Sequence, residues 1–528
     1  MAQDTRKSFG FAAALAVIGS SLLSGPSFAA QFKCPQVGGD FVFGQEANVN
    51  GLDQIASSSI STRNIAMNIF ESLVTRDENN NPIADLAASF TESPDRLTYT
   101  FKLREGVRFH NGKTMTSADV LASFDRYNKV GLDRSMFNNV AKWETPDAST
   151  FVVHLKVPQP TFITALSSFS VPVVIIPSEL ADAAPMQLKI IGTGPWQLTE
   201  FVPGGFVKLK RFDGYTPNTS YEDRTGFGGY KQACFDTVTF RIVSEPGARV
   251  AGLQTGELQG VEDLPTKSLP AIKKDANIKI LPLHNWWIQI TTPNESEPPT
   301  DNLNFRKAVQ AVLDMDEIMD AATDGNYRLN AGFQYPNQPD YTDAGKETYN
   351  QRNAKLAKEY LAKSGYKGEP VVLLTSKDYT AMYNSALVMA EQMKAIGIKA
   401  ELKVLDWPSA VQMRRNTTKG WNFYFTGHGT QPALGPLAEM QFFIPPNDVY
   451  KSKDPAGDPD LVAAWKDMNQ QPEAKDRQAA FARMQKLILD RVYAIPFGSL
   501  TKVQGVRANV EGFTPFRIPR MSNVWFKN

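Results

Sequence analysis

Residues 99–127, YTFKLREGVRFHNGKTMTSADVLASFDRY, decide how this chain is read. They open as a strand, with Tyr99, Phe101 and Leu103 on one face and Thr100, Lys102 and Arg104 on the other. Glu105-Gly106 turns the chain into Val107-Arg108-Phe109, and Asn111-Gly112 is a dipeptide suited to φ > 0 at both centres. Thr116 then caps a helix, with Asp119 three residues on as a weaker form of the capping box. Val120, Leu121 and Phe124 supply its apolar stripe. Local physics therefore predicts hairpin, turn and packed helix, with no chemistry in the stretch.

The ends of the chain read as export. Arg6 and Lys7 precede a mostly apolar run over 9–23, and Pro26 leads into Ser27-Phe28-Ala29, an A-x-A-like cleavage site. The run is short for a membrane span. Cys34 is separated from that site by Gln31, Phe32 and Lys33, so no lipid anchor is expected. The expectation is a periplasmic protein, its signal peptide (1–29) cleaved near Ala29. The formal net charge is +1, with both signs spread evenly, which argues against nucleic acid or a membrane surface as partner. The remaining ~500 residues are too many for one core and predict two or three domains. Pairing of Cys34 with Cys234 would close a loop of about 200 residues, worth about 5 kcal/mol in the chain-entropy model. Two separate buried thiols are the alternative.

Periodicity predicts strands over 41–43, 150–155, 235–243 and 281–291, and helices over 60–73, 161–166, 353–365 and 461–491. Strand 370–375, helix 381–396 and strand 399–405 form a β-α-β order, a parallel-sheet unit. Gly192 and Gly194 are not a nucleotide loop, because the third glycine is missing and Pro195 blocks a helix start. The chain lacks G-x-S-x-G, H-E-x-x-H and any paired cysteine-histidine motif. His110, His154, His284 and His428 show no paired spacing, so no metal site and no cofactor are expected.

Several strings together carry a resemblance: 99–127 itself, FESLVTRD at 70–77, PIADLA at 82–87 and GTGPW at 192–196. Three others follow in order: the segment 249–257, A-x-x-Y-L-A-x-x-G-Y at 357–366, and YAIPF at 493–497. The chain resembles the periplasmic peptide- and nickel-binding family of ABC-transporter solute-binding proteins, extracellular solute-binding protein family 5. The resemblance implies an α/β, two-lobe periplasmic-binding-protein fold of type II, with an extra subdomain in the first lobe, closing over a central cleft. Lobe I would be assembled from 31–70, 191–288 and 497–528, the subdomain from 71–190, and lobe II from 289–496. A Cys34–Cys234 disulfide would join two segments of one lobe. The implied function is capture of a peptide or peptide-like small molecule and its delivery to an inner-membrane ABC permease, by a monomer and without catalysis. An exported hydrolase and a broad-specificity periplasmic chaperone are the alternatives.

In peptide-binding relatives a carboxylate in a G-W-x-x-D string pairs with the ligand amine. The matching stretch is 427–431, where His428 stands for the Trp and Gln431 for the Asp. Gln431 accepts a hydrogen bond but does not neutralise an ammonium, whose burial unpaired costs several kcal/mol. Either a shifted carboxylate such as Asp406 serves, or the ligand lacks a free amine. Trp407 and Arg414 match a family Trp and Arg that face the cleft, and of Arg414 and Arg415 one can point inwards. Strand alternation sends one of Trp286 and Trp287 to the core and one to the cleft. Phe497 is a further ligand-binding candidate, and His428 a contact or a titrating switch. His110 is read as structural.

Overall fold

The structure is a computed structural model that describes residues 30–79, 81–336, 340–429, 437–446 and 448–527. The deciding stretch folds largely as its pattern dictates. Strand Thr98–Leu103 buries Tyr99, Phe101 and Leu103, and lies between strands Ala87–Glu92 and Thr150–Leu155 in a four-stranded antiparallel sheet. Helix Ser117–Val130 begins at Thr116, whose backbone N–H donates to the Asp119 carboxylate (3.0 Å). It buries Val120 and Phe124 against that sheet, while Leu121 is half-buried. Gly106 and Gly112 adopt φ of 71° and 87°, whereas Asn111 has no positive φ.

His110 is structural. Its Nε2 lies 2.9 Å from the Gly194 carbonyl, and its Nδ1 accepts from the Gly192 N–H (3.2 Å). The Gly192–Gly194 loop in turn presses on residue 69: a Cβ on Gly192 would fall 2.2 Å from the Ile69 carbonyl oxygen. Gly194 N–H donates to that same carbonyl (2.9 Å). Here the structure differs from the sequence expectation. The helix predicted over 60–73 ends early, as Ile60–Ala66: Asn68 N–H and Ile69 N–H turn back to the Ile65 and Ala66 carbonyls in a tighter turn, and the Ile69 carbonyl is taken by the loop rather than by a continuing helix. The helix predicted over 461–491 is two, Pro459–Gln470 and Ala474–Asp490. Pro472 holds Gln471 extended (ψ 128°), since the residue before proline is disfavoured in the α region.

An eleven-stranded sheet runs through both lobes. At one end Val371–Ser376 and Ala400–Leu405 pair in parallel across helix Thr380–Lys394, the β-α-β unit the sequence predicts. At the other, Asp40–Gln45 pairs in parallel with Thr237–Ile242. Two long strands, Ile278–Pro293 and Ile495–Arg507, pair antiparallel and connect the halves. One lobe packs around Phe41, Phe43, Trp196 and Phe240, and its core continues into the four-stranded subdomain. The other packs around Phe305, Leu373, Met389 and Phe423, with a satellite core around Phe481 and Met484. Cys34 and Cys234 form a disulfide that ties the chain before the first strand to the segment entering its partner strand.

Candidate functional site

The connecting strands set the site. Between the pairs Leu283–Lys502 and Trp287–Leu500 the register shifts, and Asn285 sits at φ 53° in the left-handed region. The irregularity breaks the alternation that predicts one tryptophan inside and one in the cleft. Trp286 and Trp287 instead stack on each other, centroids 3.8 Å apart, and both face interlobe space. Trp287 lines two adjoining chambers.

The first chamber lies between helix Trp407–Asn416, strand Phe423–His428 and residues of the opposite lobe. Trp407, Arg414, Tyr424 and His428 come from one side, Arg63 and Arg517 from the other. Arg414 lies over the Tyr424 ring, 5.7 Å from its centroid. Its neighbour Arg415 does not line the chamber and donates to the Ala56 carbonyl (3.3 Å). Trp407 Nε1 donates to Ser59 Oγ across the cleft (3.1 Å). The glycines flanking His428 have steric reasons. A Cβ on Gly427 would meet the Trp287 ring at 2.4 Å, and one on Gly429 would meet Arg517 Nη2 at 1.3 Å.

Arg63 Nη2 donates to the Ser58 carbonyl and Arg517 Nη1 to the Trp286 carbonyl, each at 2.8 Å. The Nε groups of both arginines are buried without a hydrogen-bond partner among the described residues. Burial, then the facing Arg517 charge, pulls Arg63 down to about 10, so it stays protonated at neutral pH. Burial lowers Arg414 and Arg517 as well. His428 is buried against Phe442 and Phe443, and burial lowers it below the usual histidine range, keeping it neutral. Its Nδ1 stands 3.7 Å from Glu439. Three guanidinium groups against one carboxylate leave the chamber positive. Unpaired donors of this kind are costly when buried and favour a ligand that accepts from them.

Three expectations are corrected. Phe497 is fully buried against Phe425 in the second core and lines neither chamber. Asp406 lines neither chamber: it caps helix Trp407–Asn416, accepting from Ser409 N–H (3.0 Å). Its carboxylate is a helix signal rather than a ligand signal. The single inward tryptophan is replaced by the stacked pair. Gln431 lies outside the described residues. Sequence reasoning missed Arg63, Arg517 and Glu439. Arg63 alone had a local signal, a charge inside the apolar run at 60–73; Arg517 reaches the site from 86 residues after Gln431 in the chain.

The pattern of the bacterial extracellular solute-binding proteins, family 5 Middle, matches residues 81–447. A probable peptide ABC transporter periplasmic-binding protein of Sinorhizobium fredii, y4tO, is 26% identical over 502 residues, covering 90% of this chain and 92% of that one. The glutathione-binding protein GsiB of Escherichia coli K12 is 27% identical over 441 residues, 81% of each chain. Among solved structures, the oligopeptide-binding protein AppA of Bacillus subtilis, in complex with a nonapeptide, superposes with a TM-score of 0.81 at 22% identity. That match covers 94% of this chain and all of AppA. The agropinic acid complex of AgaA from A. tumefaciens R10 gives 0.80 at 23%, covering 93% and 99%. The fold is that of the type II periplasmic binding proteins, and the exported-hydrolase alternative falls with it, because the matching family consists of binding proteins. The chain belongs to the bacterial extracellular solute-binding proteins of family 5 and is a solute-binding component of an ABC importer, not an enzyme.

Proposed function

We propose that the protein captures an anionic, peptide-like solute, holding a carboxylate in the chamber of Arg63, Arg414 and Arg517. The observation that carries this reading is the pair of orphaned, buried Nε donors on Arg63 and Arg517. A carboxylate accepts from such donors in pairs, and its charge offsets the excess of guanidinium groups. Trp407 and Trp287 supply flat apolar walls for the remainder of the solute. The names of the relatives, glutathione-binding and peptide-binding, agree with a ligand that carries carboxylates. The same reading includes a monomer, the division into 31–70, 191–288 and 497–528 against 289–496 with 71–190 as subdomain, and export with cleavage near Ala29.

The test is thermal shift against short peptides, opines, glutathione and neutral sugars, together with mass spectrometry of the co-purifying solute. Carboxylate-bearing solutes should raise the melting temperature saturably without turnover. Arg517→Gln should weaken their binding by roughly tenfold or more, the scale of a lost charge-assisted hydrogen bond. A preference for neutral sugars, or an unchanged Arg517→Gln, would overturn the reading.

A further inference from the structure

The second chamber lies on the other side of the tryptophan pair and has the opposite character. Trp286, Trp287 and Tyr379 wall it, and Glu46, Arg249, Asp263 and Lys502 give it charge. Both cations are already committed. Lys502 Nζ donates to Glu46 (2.5 Å) and Glu262 (2.8 Å), and lies 3.8 Å from the centroid of the Trp286 ring. Arg249 donates to the carbonyls of Val243, Ser244 and Asp263 and to the Glu46 carboxylate.

Asp263 differs from its neighbours. One carboxyl oxygen accepts from Val503 N–H (3.1 Å), and among the described residues no cation forms an ion pair with it, although the Lys502 and Arg249 charges act on it. Burial, then the Glu46 charge, raises it to about 7. On the lining of the same chamber, two nearly inaccessible polar groups have no hydrogen-bond partner among the described residues: the Tyr379 hydroxyl and Trp287 Nε1. Tyr379 is 2% exposed and Trp287 4%. The chamber thus offers a spare carboxyl oxygen, a spare hydroxyl and one spare donor, and the charge cluster at its wall sets Glu46, Glu262 and Asp263 against Lys502 and Arg249. Such a set is complete when a hydrogen-bond donor carrying positive charge enters, with an acceptor beside it.

We propose that this second chamber receives an ammonium group of the solute, its charge met by Asp263 and one N–H accepted by Tyr379, while Trp287 Nε1 donates to the carbonyl beside it. This rests on the reading that the neighbouring chamber holds the carboxylate. Together they define a zwitterionic solute laid across the tryptophan pair, its ammonium charge met by Asp263 from the lobe opposite to Trp407 and His428 and one N–H accepted by Tyr379 from their own lobe.

The test is a tripeptide library offered in four forms, with the N-terminus free or acetylated and the C-terminus free or amidated. Retention on the wild-type protein is read by mass spectrometry. Acetylation should lower retention by roughly tenfold or more, the scale of one lost charged contact. In Asp263→Asn the free and acetylated forms should be retained within about twofold of each other. Equal retention of both forms by the wild type, or an Asp263→Asn protein that keeps the preference, would overturn the ammonium site. If Asp263→Asn does not fold, Tyr379→Phe replaces it: the preference should fall several-fold, and an unchanged preference refutes the assignment. The anionic reading fails along the other axis, when amidated forms bind as well as acids. Retention of none of the four forms overturns both.

Discussion

At the scale of single residues, the site depends on what is missing as much as on what is present. Gly429 exists so that the Arg517 guanidinium can lie where a Cβ would be. Because that guanidinium is the end of a flexible side chain, Gly429→Ala should cost the fold about 1 kcal/mol or less, at the mild end of overpacking. It should nonetheless push the guanidinium out of place and lower affinity for carboxylate-bearing solutes by roughly tenfold. Calorimetric titration beside a melting curve separates the two effects; undiminished affinity would mean that Arg517 does not touch the solute. Gly427 is different, because its Cβ would strike the buried Trp287 ring. The string Gly427-His428-Gly429 was visible in the sequence, but its reason was not. Trp287 and Arg517 lie 140 and 88 residues away from Gly427 and Gly429, and nothing local reports them.

At the scale of elements, the two connecting strands explain why the tryptophans were half-read. Alternation is a rule for a regular ladder, and the ladder between Ile278–Pro293 and Ile495–Arg507 is interrupted where it crosses the cleft. Asn285 takes up the extra length at φ 53°, a conformation that asparagine tolerates better than β-branched residues. Asn285→Val should therefore destabilise the protein by about 1–2 kcal/mol, and Asn285→Gly should leave stability within about 0.5 kcal/mol of the wild type. Urea unfolding midpoints check this; equal loss in both variants would show that the asparagine side chain, not the backbone angle, matters there. The split of the predicted helix at 461–491 was legible in principle, since Pro472 stands in the middle of it. The early end of the helix at Ala66 was not, and the loop that takes up the Ile69 carbonyl beyond it lies more than a hundred residues downstream.

At the scale of the molecule, contacts across the cleft hold the lobes together. Trp407 reaches Ser59, Arg415 reaches the Ala56 carbonyl, and Thr161 donates to Asn469 (3.0 Å). Asp133 of the subdomain side is bonded by Ser135 and by the Gln441 side chain, and burial raises it to about 7. The folded protein therefore holds a proton there that the unfolded chain releases from about pH 4 upward. More protons on the folded side make stability fall as pH rises between about 4 and 7. Asp133→Asn should remove that part of the slope and raise stability at pH 8 by on the order of 1 kcal/mol or more. Melting temperatures of both proteins from pH 5 to pH 8 decide it; parallel curves would exclude Asp133 as a titrating contact.

What the sequence determined by itself is what short-range physics encodes: the alternating strand at Thr98–Leu103, the capped helix after Thr116, the β-α-β unit and the ordered motifs that name the family. These rest on contacts between near neighbours, whose periodicity a linear reading detects. The tertiary structure alone decided the two interlobe chambers. Arg63, Trp287, Arg414 and Arg517 meet because two lobes built from interleaved segments face each other. Asp263, Tyr379 and Lys502 meet for the same reason. Their chemistry lies in unpaired donors and acceptors, and whether a polar group is paired is a property of three-dimensional neighbours that no local spacing records.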